Sequence, residues 1–144
     1  MSEDIYSTSF PRGLLIFSEG TPTYSLKEQR KVLKEWAKAN IVGKTIEVPS
    51  ICKHITITVS GIKEALNQPH KHYFEKNEAI KEIENQLATS TLVETKIDST
   101  GDCNNMFHYL RTSIKGEDSF IVLRETKKDG MIIFYSIVDK IKSD

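Results

Sequence analysis

The hydrophobic period of this chain changes near residue 90, and that change constrains the fold more than any other feature of the sequence. Upstream, apolar residues recur at helical spacing. SLKE at Ser25–Glu28 reads as a capping box, and Leu26, Val32, Leu33, Trp36 and Ala37 form a stripe that predicts a helix over 26–39. Ala79, Ile80, Ile83 and Leu87 form a second stripe, with Glu75, Glu78, Glu82 and Gln86 on the wet side, and predict a helix over 75–89. Downstream the period is two. Segments near 92–97, 106–114, 118–126 and 131–139 read as strands, separated by the turn-rich stretches DSTGDCNN, KGED and KKDG. Helices followed by a strand meander predict an α+β domain, with N-terminal helices packed on one face of an antiparallel sheet of about four strands.

Between the helices, KTIEVPS and KHITITVS alternate at period two and read as extended segments. Ser60 stands where a cap would open a short helix over 61–67, ended by the turn at Pro69. No repeat or Pro/Gly/Ser linker divides the 144 residues. They read as a single domain over 1–144, with an N-terminal arm at 1–23, a helix at 24–40 and an α+β core at 41–142.

A content of 38% hydrophobic and 28% charged residues is that of an ordinary globular protein. The polar, acidic start MSEDIYSTSF lacks the basic-then-apolar build of a secretory signal, and no apolar run is long enough to span a membrane, so the expected compartment is the cytoplasm. There Cys52 and Cys103, which lack metal-ligand spacing, are expected to be free thiols. Twenty basic residues balance twenty acidic ones, which argues against coating nucleic acid by bulk charge. Residues 53–76 are locally basic: Lys53, Lys63, Lys71 and Lys76 outnumber Glu64 and Glu75, and His54, His70 and His72 add to them.

The densest chemistry lies in QPHKHYFEKN, residues 68–77. His70 and His72 have chelating spacing, but no CxxC or HExxH companion supplies further ligands, so no metal is expected. The scattered glycines form no phosphate-cradling loop, so no nucleotide cofactor is expected either. No histidine motif offers the close Asp or Glu partner that a triad needs, which leaves a serine-hydrolase triad unsupported. Alternation puts His54, Thr56 and Thr58 on one face of KHITITV. It puts Met106, His108 and Leu110 on one face of MFHYLRTSI, toward the core, and Tyr109 and Arg111 on the other, where tyrosine can stack on a base and arginine can fork onto a phosphate. Lys76 shares the stripe of Ile80 and Ile83, either snorkelling past the core edge or pointing into a site. Ser136 lies within the apolar run MIIFYSIVD.

Histidines, lysines, an arginine and a tyrosine around a small sheet are the set that metal-free RNA cleavage asks for. One group takes the 2′-hydroxyl proton, a second protonates the leaving 5′-oxygen, and a cation steadies the phosphate. Histidine suits the first two roles because it titrates near neutrality.

VGKTIEV, KHITITVSGIKEALNQ, KNEAIKEIENQL and FHYLRTSIKGEDSFIVLRETKKDGMIIFYSIV, taken in that order, resemble the barnase–EndoU–colicin–RelE superfamily over about residues 40–142. Within it, the chain looks most like the nuclease-like domains of phage and mobile-element polyvalent proteins. The resemblance implies a metal-independent endoribonuclease of toxin or effector type, with its site on the uncovered sheet face. Carried onto this sequence, it marks His54, His72, Lys76, His108, Tyr109, Arg111 and Ser136. His54 and His72 would share the acid and base roles with His108 as substitute, Lys76 and Arg111 would stabilise the phosphate, and Tyr109 and Ser136 would position it. His70, Tyr73, Tyr109 and Lys53 are the expected substrate-binding residues, and the expected partners are RNA and an immunity or antitoxin protein. A catalytically inactive module that binds a protein or RNA through the same face is the alternative.

Overall fold

Ser25 opens the first helix as the capping box requires. Its Oγ accepts the Glu28 N–H at 3.2 Å, and Glu28 Oε1 accepts the Ser25 N–H at 3.0 Å, which satisfies two donors that a first turn leaves orphaned. Helix α1 then runs over Leu26–Asn40 and buries Gln29, Leu33 and Ala37. The computed structural model describes residues 25–98 and 105–141, together with the short paired strands β1 (Ile16–Phe17) and β2 (Thr21–Pro22). The rest of the predicted arm and Cys103 lie outside the described residues.

The extended segments after α1 form a hairpin, β3 (Thr45–Val48) and β4 (Lys53–Thr56), joined by a 3-10 turn at Pro49–Ile51 and by Cys52, exposed and at φ 56°. Helix α2 (Val59–Asn67) is capped by Thr58 rather than the expected Ser60: Thr58 Oγ1 accepts the Gly61 N–H at 3.0 Å. The helix expected over 75–89 is three pieces: α3 (Tyr73–Glu78), a 3-10 turn at Ala79–Glu82, and α4 (Ile83–Thr89). Gln29, buried on α1, ties α3 to α1 by donating to the Phe74 carbonyl at 2.9 Å and to Glu78 Oε2 at 3.1 Å, the latter on the residue before the break. The apolar stripe survives the break, since Ile80, Ile83 and Leu87 are all buried.

Strands β5 (Thr91–Asp98), β6 (Asn105–Ile114), β7 (Glu117–Thr126) and β8 (Ile132–Val138) form the predicted antiparallel meander. Lys115 and Gly116 turn β6 into β7, both at positive φ, the two-residue geometry whose twist matches that of the flanking strands. The sheet is larger than the four strands expected. Its order is β3-β4-β8-β7-β6-β5, and β4 runs parallel to β8 with Thr56 opposite Ile133, so it is six-stranded and mixed. Period-two alternation reveals an extended segment but not its partner, and here the partner lies at the far end of the chain.

The helices bury one face of this sheet. Ile55, Leu110, Ile121, Leu123, Phe134 and Ile137 point into a core with Leu33, Ala37, Ile62, Ala65, Ile80, Ile83 and Leu87. Helix α2 lies directly on β8, because a Cβ at Gly61 would run into the Phe134 carbonyl oxygen. The opposite, outer face carries His54 on β4, Phe107, Tyr109 and Arg111 on β6, and Phe120, Val122 and Arg124 on β7. Strand β8 adds two consecutive residues to that face. Val122 pairs with Ser136 but Leu123 pairs with Phe134, so Tyr135 is an extra, bulged residue beside Ser136. None of the described helices is long and apolar enough to cross a membrane.

Candidate functional site

The loop that carries His70 and His72 is tied down at one end of the sheet. His70 is 8% exposed; its Nδ1 accepts the His72 backbone N–H at 2.9 Å, and its Nε2 lies 2.9 Å from Ser119 Oγ. An Nδ1 that accepts carries no proton, so Nε2–H is the donor to Ser119. This is the wrong tautomer for a base that would activate the serine, and burial lowers the His70 pKa further. The second histidine, His72, bonds Glu117 Oε2 through Nε2 at 3.1 Å. Glu117 is also paired with Lys71 Nζ, and the Lys71 backbone N–H reaches Asp139 Oδ2 at 2.9 Å.

Lys76 is fully buried and reaches no open face. Its ammonium donates to the Ala65 carbonyl near the end of α2 and lies 4.6 Å from the centre of the Tyr73 ring, while the Tyr73 hydroxyl donates to the Asn67 carbonyl at 3.0 Å. Both side chains therefore bond carbonyls in the last turn of α2, where the Gln68 N–H also reaches the Ala65 carbonyl at 3.4 Å, and the dipole at a helix C-terminus favours a cation there. Loss of water, reinforced by Arg30, nevertheless lowers the Lys76 pKa to about 7.

A second cluster sits at the other end of β7, on the inner face. His108 Nε2 bonds Glu125 Oε1 at 2.8 Å, its Nδ1 lies 2.9 Å from Thr95 Oγ1, and Lys53 Nζ is 3.7 Å from Glu125 Oε2. A carboxylate does therefore orient each of His72 and His108, though each comes from a distant strand. Glu117 and Glu125 are eight residues apart on one strand, roughly 26 Å. His72 and His108 are thus too far apart to serve one scissile bond.

The outer face forms the third grouping. Phe107, Tyr109, Phe120 and Tyr135 are half-buried on it. Phe107 and Tyr135 meet with ring centres 5.6 Å apart, and the Arg124 guanidinium lies 5.1 Å from the Tyr135 ring centre. Arg111 and His54 are exposed on the same face, and Lys96 stands directly opposite Phe107. Ser136 Oγ and Arg124 Nε are buried with no hydrogen-bond partner among the described residues.

The expected site residues therefore divide among three places. His70, His72, Tyr73 and Lys76 hold the loop to α2 and β7. Lys53 and His108 join Glu125. His54, Tyr109, Arg111 and Ser136 share the outer face. Sequence reasoning passed over Glu125, Thr95, Phe120 and Arg124, although alternation in SFIVLRET was a signal for the last two. Tyr135 gave no such signal, because a bulge breaks period two and sets Tyr135 and Ser136 consecutively on this face.

The profile of the large polyvalent protein-associated domain 3 family matches residues 24–135. The chain belongs to this family. The match spans α1 to β8 and agrees with the likeness to polyvalent-protein domains read from the sequence. No curated protein and no solved structure matches the chain.

Proposed function

We propose that this polyvalent-protein-associated domain serves a mobile element by holding single-stranded RNA on its outer sheet face. The observation that carries this reading is the row of four half-buried aromatic side chains, Phe107, Tyr109, Phe120 and Tyr135, interleaved with Arg111 and Arg124. Aromatic side chains on a sheet face let bases stack at about 1–3 kcal/mol each, while guanidinium groups beside them serve phosphates or base edges. Helices on one face and a meander open on the other also support a nuclease-like domain of the barnase–EndoU–colicin–RelE type.

RNA cleavage is the second reading, and the 2.8 Å bond between His108 and Glu125 favours it, with Lys53 beside the carboxylate. An oriented imidazole and a cation are what proton abstraction and phosphate stabilisation need. In a toxin of this kind an immunity or antitoxin protein would be the natural partner. These groups lie on the opposite face from the aromatic row, which ranks binding first.

End-labelled single-stranded RNA, incubated with the protein in EDTA, tests both readings. Anisotropy reports binding, and Tyr135→Ala is expected to weaken it tenfold or more; equal affinity in wild type and variant overturns the reading. Products with cyclic phosphate ends that vanish in His108→Ala establish cleavage. Intact RNA leaves binding alone.

A further inference from the structure

Resting on the RNA-binding reading, we propose that a groove at the edge of the outer face selects guanine from the bound strand. Strand β5 begins at Thr91, opposite Arg111, so residues 112–114 of β6 have no β5 neighbour. A groove of about 420 Å³ opens there, between the last turn of α4 and the ends of β6 and β7. That volume lies within the range of small-ligand sites.

The polar groups lining the groove have a defined pattern. Arg111 and Asp118 both line it, as diagonal neighbours on β6 and β7, and neither has an ionic or hydrogen-bond partner among the described residues. Thr112 Oγ1 donates to Gln86 Oε1 at 2.8 Å, so these two lining side chains bond each other. The charged groups of the groove are thus one donor fork, Arg111, and one two-oxygen acceptor, Asp118, set among neutral amide and hydroxyl side chains. A charged side chain that folding leaves unpaired beside its natural counter-ion is available to a ligand needing both.

Guanine is the base that matches. Its O6 and N7 form an acceptor pair that an arginine fork meets bidentately. In a single strand its N1–H and N2–H₂ are also uncovered and form a donor pair for a carboxylate. Adenine sets one donor beside an acceptor on each edge, and the pyrimidines offer no adjacent donor pair, so each turns an acceptor against an Asp118 oxygen.

The test compares single-stranded RNA hexamers that are identical except for one central G, A, U or inosine, by anisotropy with wild type, Asp118→Ala and Arg111→Met. The expected result is at least tenfold tighter binding of the G strand than of the U strand, largely lost with inosine, which lacks the 2-amino donor. In Asp118→Ala the ratio of G to U affinity falls toward one. Asp118 and Arg111 are exposed on strands, so thermal melts should show both variants folded. Equal binding of all four strands overturns guanine selection while the RNA face stands, as does a preference that survives in Asp118→Ala. If no strand binds, the RNA reading fails and guanine selection with it.

Discussion

The loop at residues 70–76 carries two histidines, two lysines and a tyrosine, and the outer sheet face carries a histidine, a lysine, two arginines and two tyrosines, yet they spend those groups in opposite ways. In the loop the polar side chains are committed: His70 to Ser119 and the His72 amide, Lys76 to the end of α2, and His72 and Lys71 to Glu117. On the outer face Arg111 is exposed, Arg124 Nε is unpaired, and four aromatic rings are half-buried. Partners within the chain mark a group as structural, because a buried donor or acceptor contributes to stability only when it is satisfied. Groups left without partners mark the face that meets something else. Residue type alone does not distinguish the two.

The sharpest way to break this contrast is His70→Ala. It leaves the buried Ser119 hydroxyl and the His72 N–H without their partners and is expected to cost about 2–3 kcal/mol of stability in denaturant titration. RNA affinity should stay within twofold of wild type. A loss of affinity matching that of Tyr135→Ala, with stability intact, would move the loop into the functional surface.

Lys76 offers a second test, smaller at neutral pH. Its pKa falls from 10.5 in the unfolded chain to about 7 in the fold. Below about pH 7 both states hold the proton and the folded state carries the cost of burying it; that cost is relieved as pH rises from about 7 to 10.5. His70 acts in the adjacent window. Its pKa is lowered from 6.5, chiefly by burial, so its contribution is complete above pH 6.5 and is lost as pH falls below it. Both groups make stability rise with pH. Lys76→Met should raise the melting temperature at pH 6, by about 1–2 kcal/mol in stability, and flatten the rise above pH 7. An unchanged slope would mean that the ammonium keeps its solution pKa.

Much of this fold was legible in the sequence. The capping box at Ser25, the four-strand meander and the Lys115–Gly116 turn follow from local chemistry. The faces of His54, Tyr109 and Arg111 follow from strict period two. What could not be read depended on distant partners. The Lys76 ammonium bonds a carbonyl 11 residues away, His108 a carboxylate 17 away and His72 a carboxylate 45 away, and no spacing rule reports such pairs. The β4–β8 pairing and the bulge at Tyr135 are likewise set by packing. The bulge matters to the functional reading because it breaks period two beside Tyr135, which meets Phe107 and Arg124 on the outer face.

The smallest effect is expected at Glu117. Its hydrogen bond to Lys71, and then that to His72, hold its carboxyl below the usual range, so what it contributes is present above the unfolded carboxylate pKa and lost as pH falls. It is exposed, and water and salt screen both partners. Glu117→Gln should therefore shift the melting temperature by about one degree or less at neutral pH, and by nothing measurable in 1 M salt. The two histidines of one loop then differ in kind: His70 holds it through buried hydrogen bonds, while His72 adds a surface pair that the fold can lose. A drop in Glu117→Gln as large as that in His70→Ala would invert that order and place the anchor of the loop at its surface.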